Sequence, residues 1–258
     1  MKEKITKTNQ SIEKALQIIE ILASQRGYMR LQDISAQADI PAPTAMRLLT
    51  ALANYNYVTQ SEETHKYSLT LKFAQIGSMV KSQFSISEVA RPYLVDLARR
   101  CGESVCLAIE QDMEVLYIDS VDGPDSMLRT MQRIGKRAPL YSTGVGKLLL
   151  LNFEPKEIDR YVAKTGLKAL TKNTITTKEG LLRKLQEIRA RNYAEDDEEC
   201  ELGARCVAAP IRDYTGRVIA AASISGPTIR MTKAKIESFA KEVILTANKI
   251  SKVFAAEE

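Results

Sequence analysis

LQDISAQADIPAPTAMRLLTAL, residues 31–52, is the stretch whose reading decides the fold. Leu31, Ile34 and Ala38 recur at helical spacing and give a first short helix one apolar face. Asp39-Ile40-Pro41 ends it, because proline cannot continue a helix. Pro43 suits the first turn of a second helix, where its missing N–H has no partner to lose. That helix turns Ala45, Leu48, Leu49 and Leu52 inward and leaves Thr44, Arg47 and Ala51 outside. Two short helices across a tight turn, the second with a polar face, are the helix-turn-helix that enters the DNA major groove. The same pair of helices also occurs as plain structure, so the flanks matter.

Upstream, Ile12, Leu16, Ile19 and Leu22/Ala23 mark an amphipathic helix with Ser11 available as its N-cap. Downstream, Tyr57-Val58-Thr59 and Lys66-Tyr67-Ser68-Leu69 read as two short strands around the polar turn 61–65. Three helices and a hairpin make a winged helix over residues 1–70. Its candidate DNA contacts are Thr44, Arg47 and Met46, the last against a thymine methyl, with Ala42 at the helix start and Lys66 in the wing. Residues 1–80 carry nine basic side chains against seven acidic ones, in a chain of net charge +5. One copy would grip phosphate weakly, so a dimer or larger homo-oligomer on a palindromic operator is expected.

At 258 residues the chain fits two domains. No run approaches the roughly 18–20 apolar residues of a membrane span. The opening MKEKITKTNQ lacks the apolar core of a signal peptide, so a soluble cytoplasmic protein with no membrane partner is expected. The four cysteines (Cys101, Cys106, Cys200, Cys206) share the chain with one histidine, His65 in the wing. That set gives no structural zinc spacing, and no metal or cofactor is expected. Residues 71–86 read as a connecting helix and linker, followed by a helix over 87–100. Strands follow at 104–110, 115–121 and 126–131, then helices at 144–152, 155–164 and 177–193. Two long apolar strands, 205–211 and 218–225, precede a closing helix from 232 to about 254. Strands, helices, then strands again describe an α+β domain around one mostly antiparallel sheet.

Three places in this second domain are candidates for chemistry, against the structural alternatives of a close-packed helix start, a solvated acidic face and hydroxyls satisfied by neighbouring backbone. Tyr141-Ser142-Thr143-Gly144-Val145-Gly146-Lys147 opens a helix whose free N–H groups suit a carboxylate or phosphate. It is no nucleotide P-loop, because Leu148 follows the lysine and Tyr141 stands where the first glycine belongs. The run Glu195-Asp196-Asp197-Glu198-Glu199 leads straight into a buried strand, so one carboxylate can turn inward. Ser223 and Ser225 place two hydroxyls on one strand face, opposite Ile224, where neighbouring backbone or a ligand must satisfy them.

The chain is similar over nearly its whole length to the IclR family of bacterial transcriptional regulators. The resemblance is carried by SIEKALQIIEIL, the 31–52 motif, KYSLTLK, ARPYLVDLA, VLYID, RIGKRAPLYSTGVGKLLL, YAEDDEECELGARCVAAPIRD and VIAAASISGPTIR. Within it, KYSLTLK, APLYSTGVGK, TITT and SISGPTIR resemble the branch that represses pectin and hexuronate catabolism, whose effector is 2-keto-3-deoxygluconate. The resemblance implies a GAF-like effector-binding and oligomerisation domain over 87–258. It implies a pocket for a small organic acid formed by Gly144, Val145, Asp196, Cys206, Ser223 and Ser225, with Thr130 and Ala138 setting its size. It also implies a homodimer or tetramer that represses sugar-acid genes until effector binding, transmitted through the 71–83 helix, releases the DNA; another organic or aromatic acid is the alternative ligand.

An enzyme acting on a sugar acid is the competing class. His65 lies about 80 residues from the nearest pocket element, so no Ser-His-Asp or Cys-His set can be assembled around Cys206 and Asp196.

Overall fold

The computed structural model describes residues 9–25, 27–83, 85–123 and 134–255. The chain divides into two compact units, residues 1–84 and 85–258.

The first unit contains α1 (Gln10–Ser24), α2 (Leu31–Gln37), α3 (Ala42–Asn54), β1 (Val58–Gln60), β2 (Tyr67–Leu69) and α4 (Lys72–Gln83). Between α2 and α3 the chain turns at Asp39, whose positive φ of 47° ends α2. The Ser35 hydroxyl clamps that turn by donating to the Ile40 carbonyl at 2.6 Å. Pro43 sits in the first turn of α3, as its lack of an N–H favours. Ile18, Ile34, Ala45 and Leu49 are fully buried at the centre of the unit. Each of the large aliphatic side chains among them contributes roughly 1.5–3 kcal/mol. The wing is an antiparallel pair, Val58↔Leu69 to Gln60↔Tyr67, and Met29 pairs with the outer side of Tyr67.

Two expectations for α1 fail. Asn9, not Ser11, is the N-cap, its side-chain oxygen accepting from the Ser11 N–H at 3.1 Å. The inward face is formed by Ala15, Ile18 and Leu22, while Ile12 and Leu16 are 58% and 55% exposed. α1 is apolar on two sides, and helical periodicity alone cannot choose between them.

The second unit is built on a six-stranded sheet with every described pairing antiparallel. Its strands are β3 (Ser104–Gln111), β4 (Glu114–Val121), β5 (Arg137–Pro139), β6 (Ala194–Asp197), β7 (Ala204–Arg212) and β8 (Val218–Pro227), in the order β5-β4-β3-β8-β7-β6. One face carries α5 (Ile86–Cys101) and α9 (Lys233–Phe254), packed on Leu107, Val207 and Ile224. The opposite face carries α6 (Gly144–Leu149), α7 (Pro155–Thr165) and α8 (Lys178–Arg191), packed on Cys106, Ala108 and Ala208. Asp119 in β4 is 1% exposed and ties α5 down: it accepts from the Ser87 hydroxyl at 3.1 Å and pairs with Arg91. Glu103 and Arg230 form a two-pronged ion pair, at 2.6 and 2.7 Å, that joins the start of β3 to the segment after β8.

Several expected elements shift. The helix expected over 144–152 ends at Leu149 and continues as a 3-10 turn, Leu150–Asn152. The turn finishes at Asn152, whose side chain both donates to and accepts from the Val218 backbone at 2.7 and 3.0 Å. The strand expected over 126–131 lies outside the described residues. β5 and the acidic β6 are strands that residue propensity did not announce, since Asp, Glu and Pro are poor strand formers.

Gly146 is irreplaceable on steric grounds, because a Cβ there would fall on the Leu140 backbone. Gly77 in α4 has nothing within 4 Å of its missing Cβ. Thermal denaturation should show Gly146→Ala losing about 3 kcal/mol or failing to fold. Gly77→Ala should be neutral or gain about 0.5–1 kcal/mol from its improved helix propensity.

Candidate functional site

α3 presents Pro43, Met46, Arg47, Thr50 and Ala51 to solvent, with Ala42 and Thr44 half-buried. Arg47 is therefore the one cation on the exposed face of this helix. Met46 is 41% exposed, and its sulfur accepts from the Tyr67 hydroxyl at 3.3 Å, which braces the helix against the wing. The Gln60 amide stiffens the wing turn by donating to the His65 carbonyl at 3.0 Å. Lys66 is half-buried in the wing, whose tip exposes Glu62 and Glu63. Two carboxylates at the tip repel phosphate, a feature the counted charges held but did not locate.

In the second unit the sheet register builds the other site. Asp196 pairs with Cys206, Cys206 with Ser225, and Ser225 with Ser104, giving one row across β6, β7, β8 and β3. Two residues along the strands, Ala194, Ala208, Ser223 and Cys106 form a parallel row on the same face. α6 lies directly over both rows: a Cβ on Gly144 would stand 2.9 Å from the Cys206 sulfur and 3.5 Å from the Ala208 Cβ. The N–H groups of Gly144 and Val145, in the first turn, have no acceptor within the helix by position. Thr143 caps the helix, accepting from the Gly146 N–H at 3.1 Å and donating to the Pro139 carbonyl at 3.0 Å.

The alternation of β6 turns Ala194 and Asp196 inward and Glu195 and Asp197 outward. Asp196 is 8% exposed, and its Oδ1 accepts from the N–H groups of Glu199 at 2.8 Å and Cys200 at 3.3 Å. Burial pushes its carboxyl up to about 6, against the opposing pull of the Lys147 charge and the Glu199 N–H. The Lys147 ammonium, with its side chain fully buried, pairs with Glu199. Burial also pushes the Cys206 thiol well up, with the nearby Asp196 charge acting in the same direction. A neutral, enclosed thiol shapes the wall and is a poor nucleophile. Tyr117 is raised likewise by burial, with Cys206, Cys106, Cys200 and Asp196 around it.

The structure thus brings Gly144, Val145, Asp196, Cys206, Ser223 and Ser225 together under one helix. Ala138 lies on β5, and Thr130 falls outside the described residues. Sequence reasoning missed Lys147, Glu199, Ser142 and Cys200. A signal for the first pair existed: a lysine within GVGKLLLL sits in a run too apolar to stay exposed, and a buried lysine needs an anion.

Comparison with known proteins assigns a family to the chain. The model of the IclR helix-turn-helix domain matches residues 11–62, and that of the bacterial transcriptional regulator IclR C-terminal domain matches residues 78–252. The chain belongs to the IclR family. It is similar to the Escherichia coli HTH-type transcriptional regulator KdgR, 34% identical over 93% of this chain and 91% of that protein. It is also similar to the Klebsiella pneumoniae HTH-type transcriptional repressor AllR, 34% identical over 94% of this chain and 89% of that one. The crystal structure of Thermotoga maritima IclR is 33% identical, covers 96% of this chain and 99% of its own, and superposes with a TM-score of 0.63.

The Asp196 carboxyl gives this IclR regulator a testable pH signature. Its folded pKa of about 6 lies above the ordinary carboxylate value of about 4, so the folded state holds its proton more tightly than the unfolded chain. The stability this supplies is fully present below about pH 4 and is lost as pH rises through about 6. Asp196→Asn keeps an acceptor for the 199 and 200 N–H groups and removes the buried charge. It should be more stable than the natural protein at pH 8, by on the order of 2–3 kcal/mol and with a higher melting temperature, and the gain should vanish near pH 4. A gain of the same size at both values would refute the assignment.

Proposed function

We propose that this IclR-family regulator is a repressor of sugar-acid catabolic genes that a small hydroxylated organic acid releases from its operator, with 2-keto-3-deoxygluconate as the leading effector. The observation carrying the effector half is the row Asp196–Cys206–Ser225–Ser104 beneath α6, where the buried Ser225 hydroxyl has no partner beyond the weakly bonding Cys206 thiol. A buried hydroxyl without a partner costs about 1–3 kcal/mol, and a ligand oxygen relieves it. The effector's carboxylate lies against the Gly144 and Val145 N–H groups, its hydroxyls reach Asp196, Ser223 and Ser225, and Cys206 packs beside it. Thr130 keeps a place in this pocket on the family resemblance alone. The likeness to the transcriptional repressor AllR supports the sign.

The DNA half rests on α3. Arg47 contacts a base edge or phosphate, with Thr44 and Met46 beside it, Ala42 at the helix start and Lys66 on the backbone side. So few contacts need a second copy on a palindrome, and α1 supplies a reason for one to dock. Its outward residues Ile12 and Leu16 remain exposed, an apolar stripe on a unit whose core is already filled. No helix of the described residues is long and apolar enough to cross a membrane, in keeping with a regulator that meets its DNA in the cytoplasm. Moving the operator from nearly full to nearly empty requires roughly 5.5 kcal/mol of differential binding, within reach of a few charge-assisted hydrogen bonds at about 1.5–3 kcal/mol each.

Fluorescence anisotropy on DNA from upstream of the gene, with and without 2-keto-3-deoxygluconate at two salt concentrations, tests both halves. Tight, salt-dependent binding that the compound weakens is the expected result; binding indifferent to it removes this effector. Arg47→Ala should weaken operator binding about 10–100-fold, the loss of one good contact. Replacing Glu62 and Glu63 together by lysine should tighten binding and steepen its salt dependence, by up to about 0.9 in slope for each phosphate gained. An unchanged slope would place the wing tip away from DNA.

A further inference from the structure

Among the described residues, four buried side-chain oxygens have no hydrogen-bond partner: those of Ser142 and Ser225, Oε2 of Glu199 and Oε2 of Glu242. The last lies against the Arg100 guanidinium in an ion pair. The other three sit in one place. Ser142 precedes α6 and has only the Cys200 thiol beside it as a weak hydrogen-bond partner, and Ser225 likewise has only the Cys206 thiol; burial pushes both thiols up, against the small opposing effect of these hydroxyls. Glu199, the neighbour of Cys200, spends one oxygen on Lys147 and leaves the other bare. The start of α6 and the loop after β6 therefore face each other through two contacts, Ser142 with Cys200 and Lys147 with Glu199. Unpaired polar atoms are normally rare and scattered; three concentrated at one buried spot call for a common partner.

We propose that Ser142 and Glu199 form a polar subsite, beyond the six residues of the effector pocket, that recognises a hydroxyl group of the effector and so sets a requirement for a hydroxylated acid over its deoxy counterpart. The chemistry follows from the donor and acceptor inventory. With Oε1 on the Lys147 ammonium, the bare Glu199 Oε2 is an acceptor, so the ligand must offer a hydrogen there. A second ligand carboxylate or a bare keto oxygen offers none and is repelled. A ligand hydroxyl donates to Glu199 and accepts from the Ser142 hydroxyl, satisfying two orphans with one group. Thiols are weak hydrogen-bond partners, so Cys200 does not compete for Ser142. Lys147 orients Glu199 through their ion pair, and acts here as a positioning residue. A site built to bond a hydroxyl rejects the analogue lacking it strongly, because its own groups are then left unpaired in a dry environment.

The inference rests on the effector pocket proposed above, and the test separates the two. Calorimetry or ligand-induced thermal shift is run on the full chain with two sets of acids. The hydroxylated set is 2-keto-3-deoxygluconate, gluconate and glycerate; the deoxy set is 2-oxohexanoate, hexanoate and propionate. Three variants are compared with the natural protein. Ser142→Ala removes an unpaired hydroxyl and should fold at least as well. Glu199→Gln keeps the shape and an oxygen for Lys147 but lacks the bare acceptor. Ser225→Ala tests the pocket itself. The natural protein is expected to prefer a hydroxylated acid over its deoxy counterpart by at least about 100-fold. Ser142→Ala and Glu199→Gln should each reduce that ratio about tenfold or more while leaving the deoxy acid's affinity unchanged, and Ser225→Ala should weaken both sets. A preference that survives both Ser142→Ala and Glu199→Gln overturns the subsite and, if Ser225→Ala still weakens binding, leaves the pocket standing. Binding unaffected by Ser225→Ala, or no binding of any acid, overturns the pocket and the subsite together.

Discussion

The close approach of α6 to the sheet is the constraint on which the second unit depends. Glycine at 144 lets the helix start rest on the Cys206 sulfur, and glycine at 146 lets it pass the Leu140 backbone. With the helix that near, its first N–H groups point into the face that carries Asp196, Cys206, Ser223 and Ser225, and the Gly144 N–H bonds the Cys206 sulfur. The same approach buries Lys147, which the loop after β6 must then answer with Glu199. One packing distance thus fixes a cap, an ion pair and a buried polar cluster.

Much of this was legible because local signals and global packing agree. Pro41 and Pro43 bracket the turn before α3, and the alternation around the 61–65 turn gives the wing. The Ser223/Ser225 pair could be assigned to one face from strand period alone. What was not legible depended on partners far along the chain. Lys147 and Glu199 are brought together across 52 positions, and no local pattern states that pairing. β6 was hidden because four residues reading AEDD have little strand preference; the ladder to β7 imposes the extended conformation. The face of α1 was misjudged because Ile12 and Leu16 are as apolar as Ile18 and Leu22, and only contact with α3 decides which pair turns in.

The energetics of the two units differ in kind. The first is an aliphatic cluster around Ile18, Ile34 and Leu49, with its polar groups at turns and caps. The second sets a buried carboxylate, a buried ion pair and unpaired hydroxyls beside an equally aliphatic core. Buried charges of this sort seldom stabilise a fold more than apolar residues of the same shape would.

The ends of the sheet give Asp196 a second role. Among the described residues β5 and β6 are the edge strands, each with unpaired backbone groups able to recruit a strand from another molecule. β5 is three residues long and ends in Pro139, which has no N–H to offer. β6 is four residues long, displays Glu195 and Asp197 outward and turns a third carboxylate inward. A strand with charge on both faces is a poor template for strand addition. The carboxylate whose burial is unfavourable to the fold therefore also makes this edge a poor template for another strand, and an apolar residue in its place would relieve the burial and leave a stickier edge.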